Sequence, residues 1–189
     1  MERLLIVSNS KNIISDVLEL LYHDSFSEVV TLDNCGEARR LLLDHSFDLC
    51  IINTPLSDEF GESLALDIVS DSITQVILIV KGELFEMVAE KAEINGIFTV
   101  ARPIDQLNFW SVLRITNAVY HRLLNLKTEN KRLMQSIEDM RLIDRAKCIL
   151  IEYLNMSEEE AHKYIEKQAM DMRITKRVVS ERILKTYDI

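Results

Sequence analysis

Four apolar runs in the first half of the chain end on side chains that could meet a ligand. Ser8 and Asn9 follow the first, Asn53 closes the run from Asp48, Val80 and Lys81 end another, and Arg102 precedes Pro103 after the last. If these runs are strands of one parallel sheet, their carboxyl ends share the crevice where such sheets bind ligands. The donors gathered there are a hydroxyl, two amides and a guanidinium. A hard cation such as Mg²⁺ wants charged oxygens, and Ser8, Asn9 and Asn53 offer only neutral ones. An asparagine amide is no carboxylate nucleophile, so Asn53 cannot form an acyl phosphate. These residues can bind an uncharged ligand, or they can simply satisfy strand-end backbone groups.

No other constellation suggests catalysis. His23, His45, His121 and His162 are scattered without metal or triad spacing, and no Gly-rich phosphate loop occurs. Cys35, Cys50 and Cys148 are odd in number and far apart, which fits neither a disulfide framework nor a metal site. The chain therefore reads as a non-enzyme without metal or cofactor, in a reducing cytoplasm. No run of 18 apolar residues would span a membrane, and the N-terminus turns polar too soon for a signal peptide.

The elements that must position these residues alternate. Short apolar runs at 3–7, 28–32, 48–53, 75–80 and 96–100 are separated by stretches with helical spacing, such as "NIISDVLELLYH" and "CGEARRLLLDHS", and a further helix starts near Asp105. This pattern implies an α/β fold, a five-stranded, doubly wound parallel sheet. Over residues 1–118 it resembles a response-regulator receiver domain, which is flavodoxin-like. The resemblance places Asn53 at the phospho-acceptor position, with Pro55 and Gly61 in the expected loop. It puts Ser8 and Asn9 at the acidic pair, Val80 where a Thr or Ser senses phosphate, and Arg102 at the usual lysine. Every chemical position departs from the family pattern, so the domain reads as a pseudo-receiver with a degenerate site. Its input is then expected to be a regulatory protein or a small ligand.

From 112 to 141 the residues repeat in sevens. Val112, Val119, Leu126, Leu133 and Met140 share one seam position, and Thr116, Leu123, Asn130 and Ile137 share the other. Apolar heptads sustained over four repeats suggest a coiled-coil connector, and one Asn at the seam favours a parallel pair in fixed register. The dimer seam is expected at Val119, Leu123, Leu126, Asn130, Leu133 and Ile137. A helix packing on its own chain would show a similar stripe, and the charge pattern does not separate the two, since Arg122 would face Lys127.

Residues 125–187 read as a small three-helix bundle. The long helix continues through Ile143, Ala146, Ile149 and Leu150 and breaks at Asn155-Met156. Ser157 with Glu160 forms a capping box for a second helix, and Thr175 can cap a third. Ile143-Asp144, Ala146-Lys147, Leu150, Glu152, Ser157, Glu160-Ala161, Ala169-Met170 and Arg173 together resemble the ANTAR domain, named for the AmiR and NasR antitermination regulators. Cys148 and Ser180 stand where that family commonly has Gly and Ala, and both are small. The resemblance implies binding of paired stem-loops in nascent leader RNA and transcription antitermination. The residues themselves allow it: Arg145, Lys147, Arg173, Lys176, Arg177 and Arg182 could contact phosphates, and Tyr164 could stack on a loop base.

Charge is unevenly placed. From residue 120 onward 14 Lys and Arg face 12 Asp and Glu, a net of +2, while the preceding residues hold 8 against 19, a net of −11. An acidic front and a mildly basic back suggest two domains with different partners. The expected protein is a dimeric, RNA-binding antitermination regulator. The alternatives are a DNA-binding response regulator, because the last two helices resemble a helix-turn-helix, and a protein-interaction adaptor.

Overall fold

The computed structural model describes residues 1–21 and 26–187, which form two compact units, Met1–Asn125 and Leu126–Ile189. Tyr22 and His23, at the end of the first helical reading, lie outside the described residues.

The first unit alternates β1 (Arg3–Val7), α1 (Lys11–Leu20), β2 (Glu28–Leu32), α2 (Cys35–Asp44), β3 (Leu49–Asn53), α3 (Glu62–Asp71), β4 (Gln75–Lys81), α4 (Phe85–Ile94), β5 (Phe98–Arg102) and the start of α5 (Gln106–Leu154). All strand pairs are parallel, in the order β2-β1-β3-β4-β5. Strand side chains alternate between faces, and the core divides accordingly. Leu5, Val7, Cys50, Ile52, Leu78 and Val80 pack against α2, α3 and α4. Leu4, Ile6, Ile51, Ile77 and Ile79 pack against α1 and, through Phe109 and Leu113, α5.

The fifth strand begins two residues later than the apolar run suggests. Gly96 takes φ 73°, and its amide donates to Glu93 O at 3.0 Å, so it closes α4 instead of opening a strand. Gly61 takes φ 101° ahead of α3, and a Cβ there would lie 3.0 Å from Ile52 Cγ2. Only glycine fits that turn beneath the strand-end crevice.

Helix α5 is tied to the first unit at two points. The Trp110 indole donates to Leu20 O at 3.0 Å, and the Tyr120 hydroxyl donates to Asp48 Oδ1 at 2.5 Å. Thr116, on the seam pattern, is fully buried here, and its hydroxyl donates to Val112 O at 2.8 Å. The start of the heptad stretch therefore serves this domain's core.

In the second unit the end of α5 packs with α6 (Glu158–Met172) and α7 (Lys176–Tyr187). Ala146 and Leu150, Ala161, Ile165 and Ala169, and Val179, Ile183 and Leu184 form its core. The long helix stops at Leu154, and Asn155 follows at φ 51°. Ser157 and Glu160 complete the expected capping box, with each side chain bonded to the other's amide. Thr175 Oγ1 accepts from the Val178 amide at 3.4 Å, as a cap for α7. Ser180 is buried in this core, and its hydroxyl has no partner among the described residues.

Candidate functional site

The sheet does bring Ser8, Asn53 and Arg102 to one end. Asn53, 2% exposed, donates through Nδ2 to Ser8 Oγ at 3.0 Å and so joins β3 to β1. The Ser8 hydroxyl donates to Ser10 O at 3.3 Å and accepts from the Ser10 amide at 3.1 Å, which spends it locally. Arg102 Nη2 donates to Thr54 O at 2.5 Å, tying β5 to the chain just after β3. Asn9 Nδ2 reaches Pro55 O at 3.4 Å. Asn53 Oδ1 and Arg102 Nε are buried without a partner among the described residues.

Val80 is fully buried among Leu78, Val88 and their neighbours. It carries no hydroxyl and faces no solvent. The residues at these strand ends are neutral apart from the Lys81 and Arg102 cations, so they do not fit Mg²⁺. The arrangement holds strand ends together through hydrogen bonds, and Asn53 offers an amide where an acyl phosphate would need a carboxylate.

Among the described residues one group of three potential metal ligands occurs, Cys35 with Asp58 and Glu59. Each is otherwise engaged. Asp58 accepts from the Cys35 and Gly36 amides at 3.1 and 2.9 Å and so caps α2. Glu59 pairs with Arg39. Burial, with the neighbouring Glu59 and Asp58 carboxylates, pushes the Cys35 thiol up to about 12.

The seven basic and aromatic residues singled out in the second half fall on three helices. Arg145 and Lys147 lie on α5, Tyr164 on α6, Arg173 at the α6–α7 turn, and Lys176, Arg177 and Arg182 on α7. Three of them strap the bundle together. Lys147 pairs with Asp144 at 2.9 Å and with Glu158 at the start of α6 at 3.2 Å. Lys176 pairs with Glu166 of α6. Arg177 pairs with Asp139 of α5 at 2.6 Å and with Glu181 at 2.9 Å. Those partners raise the pKa of Lys147 (Asp144 first) and of Arg177 (Asp139 first).

Arg182 Nη1 lies 3.3 Å from Met172 Sδ. Arg145, Arg173 and Tyr164 are exposed, and Arg173 sits in a left-handed cap at φ 54°. Sequence reasoning passed over Lys167, which makes no ion pair among the described residues and lies one turn beyond Tyr164 on α6. The i, i+3 spacing on a helix was the available signal.

On α5, every residue from His121 to Glu138 is exposed. Leu123, Leu126, Leu133 and Ile137 are therefore uncovered in the single chain, and Asn130 lies among them. Val119 is half-buried. Such a stripe of large apolar side chains is unusual on a lone helix.

Residues 131–184 match the family model of the ANTAR domain. Across 184 residues the chain is 24% identical to the transcriptional regulatory protein PdtaR of Mycobacterium tuberculosis, covering 97% of this chain and 90% of that protein. The signal receiver domain of an HD domain-containing protein from Pseudomonas fluorescens Pf-5 superposes at TM-score 0.56 and 20% identity, over 64% of this chain and 98% of that one. A two-component transcriptional regulator AraC from Clostridium phytofermentans ISDg superposes at 0.58 and 18%, over 65% and 97%. These structural likenesses bear on the fold of the first unit.

Proposed function

From the premise that this chain is an ANTAR regulator with a receiver-like N-terminal domain, we propose that it is a cytoplasmic antitermination factor. It binds stem-loops in nascent leader RNA as a parallel homodimer, without phosphorylation of its receiver-like domain. The observation that carries this reading is the ANTAR match at residues 131–184, which falls on the α5–α6–α7 bundle.

Three features support the finer parts. Arg145, Arg173 and Tyr164 lie exposed on that bundle, where single-stranded loop bases could stack and phosphates could be held. The uncovered stripe from Leu123 to Ile137, with Asn130 among it, has the residue types of a two-stranded seam. Asn53 is already bonded to Ser8, and its strand end carries no carboxylate that could hold Mg²⁺. Input then comes from a regulatory protein or an uncharged small ligand on the receiver-like domain. Lys147, Lys176 and Arg177 contribute to RNA binding chiefly by holding the three helices together.

Binding of the full chain to hairpin RNA and to duplex DNA, at several stated salt concentrations, tests this. Tighter binding to the hairpin, with an affinity that falls as salt rises, is expected. Preference for duplex DNA would instead make α6 and α7 a helix-turn-helix.

A further inference from the structure

The second unit contains a cavity of about 470 Å³ between the α5–α6 turn and the side of α6. It is lined by apolar Leu154 and Met156 and by Asn155, Lys163, Tyr164 and Lys167. Tyr164, 38% exposed, is among its lining residues. Asn155 is held at φ 51°, exposed, and its amide makes no hydrogen bond among the described residues. Lys167 is unpaired among those residues, and Lys163 pairs only with exposed Glu159, at 2.6 Å. Surface pairs of that kind exchange readily for another anion. The one carboxylate of the lining, Glu160, is already occupied by the Ser157 amide and hydroxyl at 2.8 Å each. Lys163 and Lys167 are then the exposed cations of the lining.

We propose that this cavity is a subsite for one unpaired base of an RNA loop. Tyr164 is the stacking platform, Asn155 meets the hydrogen-bonding edge of the base, and Lys163 and Lys167 hold the adjoining phosphates. The inference rests on the RNA reading above and names a site within it. A planar aromatic face beside an amide that can both donate and accept suits a splayed-out base, and the two ammonium groups suit the backbone on either side.

The test uses the full chain and a pool of hairpin RNAs with a randomised loop. Hairpins retained by the wild-type chain are remade with 2-aminopurine at each loop position in turn. One position should lose fluorescence on binding, with Tyr164→Phe quenching it as well and Tyr164→Ala failing to. Tyr164→Ala should weaken binding by roughly fivefold to a hundredfold, while Tyr164→Phe stays close to wild type. Asn155→Gly keeps the left-handed backbone without strain and should relax the choice of base at the quenched position. Equal binding, quenching and base choice by all four proteins would overturn the subsite and leave the RNA reading standing. A wild-type chain that retains no hairpin over the starting pool would overturn both.

Discussion

Lys147, Lys176 and Arg177 look alike in the sequence and are occupied in the fold. Each has a carboxylate from another helix within ion-pairing distance, Glu158, Glu166 and Asp139 respectively. Such pairs join residues 10 to 38 positions apart, so no local pattern discloses them. The capping box was legible because its two members are three residues apart and bond only to each other's neighbourhood. The same contrast holds at the strand ends. That Asn53, Ser8 and Asn9 lack charge is written in the sequence; that Arg102 crosses to the Thr54 carbonyl is not. One substitution tests the meaning of that neutral cluster. Asn53→Asp restores a single carboxylate, but no second one stands beside it to hold Mg²⁺. Incubated with acetyl phosphate and Mg²⁺, both the wild-type chain and Asn53→Asp should show no added phosphoryl mass. A phosphorylated Asn53→Asp would mean that the strand ends still supply the cation site.

Strand and helix existence followed from apolar periodicity, and boundaries followed only in part. β1 and β2 begin and end where their apolar runs do, while β5 starts late because Gly96 is used to close α4. The least legible element is α5. A seven-residue repeat and a helix packed on a sheet share the same spacing, so the seam was read from Val112, although Thr116 is buried in the first unit. Tyr120 marks the change. Burial raises the Asp48 carboxyl, but hydrogen bonds from the Glu2 amide, the Tyr120 hydroxyl and the Arg3 amide outweigh it and hold the pKa below the ordinary carboxylate value. The Tyr120 hydroxyl in turn is pushed up to about 12, by burial first and then by Asp48.

The signs follow from linkage. A depressed Asp48 stabilises the fold above the unfolded carboxyl value of about 4, and that contribution disappears as pH falls through the lower folded value. A raised Tyr120 stabilises the fold below the unfolded phenol value of about 10, and that contribution disappears as pH rises towards 12. Tyr120→Phe should cost about 1–2 kcal/mol at neutral pH and flatten the alkaline limb of a stability profile measured by urea unfolding. An unchanged alkaline limb would mean that Tyr120 titrates alike in the folded and unfolded chain.

At the scale of the molecule, the chain joins an acidic half to a mildly basic one through a single 49-residue helix. The stretch from His121 to Glu138 leaves an apolar stripe uncovered, and in the proposed dimer a second copy would cover it in matching register. Two bundles on one dimer can then grip two hairpins, the second contact being effectively intramolecular. The wild-type chain should sediment as a dimer, and replacing Leu126 and Leu133 together with Lys should make it monomeric in sedimentation velocity. It should also weaken binding to a paired-hairpin RNA by on the order of a hundredfold, while single-hairpin binding changes little. Persisting dimers in that variant would place the interface elsewhere.

The proposed antitermination needs no phosphoryl group. Its most direct test is transcription in vitro from a template carrying the leader upstream of the genes that flank this coding sequence, with the purified full chain and with or without acetyl phosphate and Mg²⁺. Read-through past the leader terminator should rise when the chain is added and should be the same in both conditions. Read-through that appears only with the phosphoryl donor, or no read-through at all, would contradict the account.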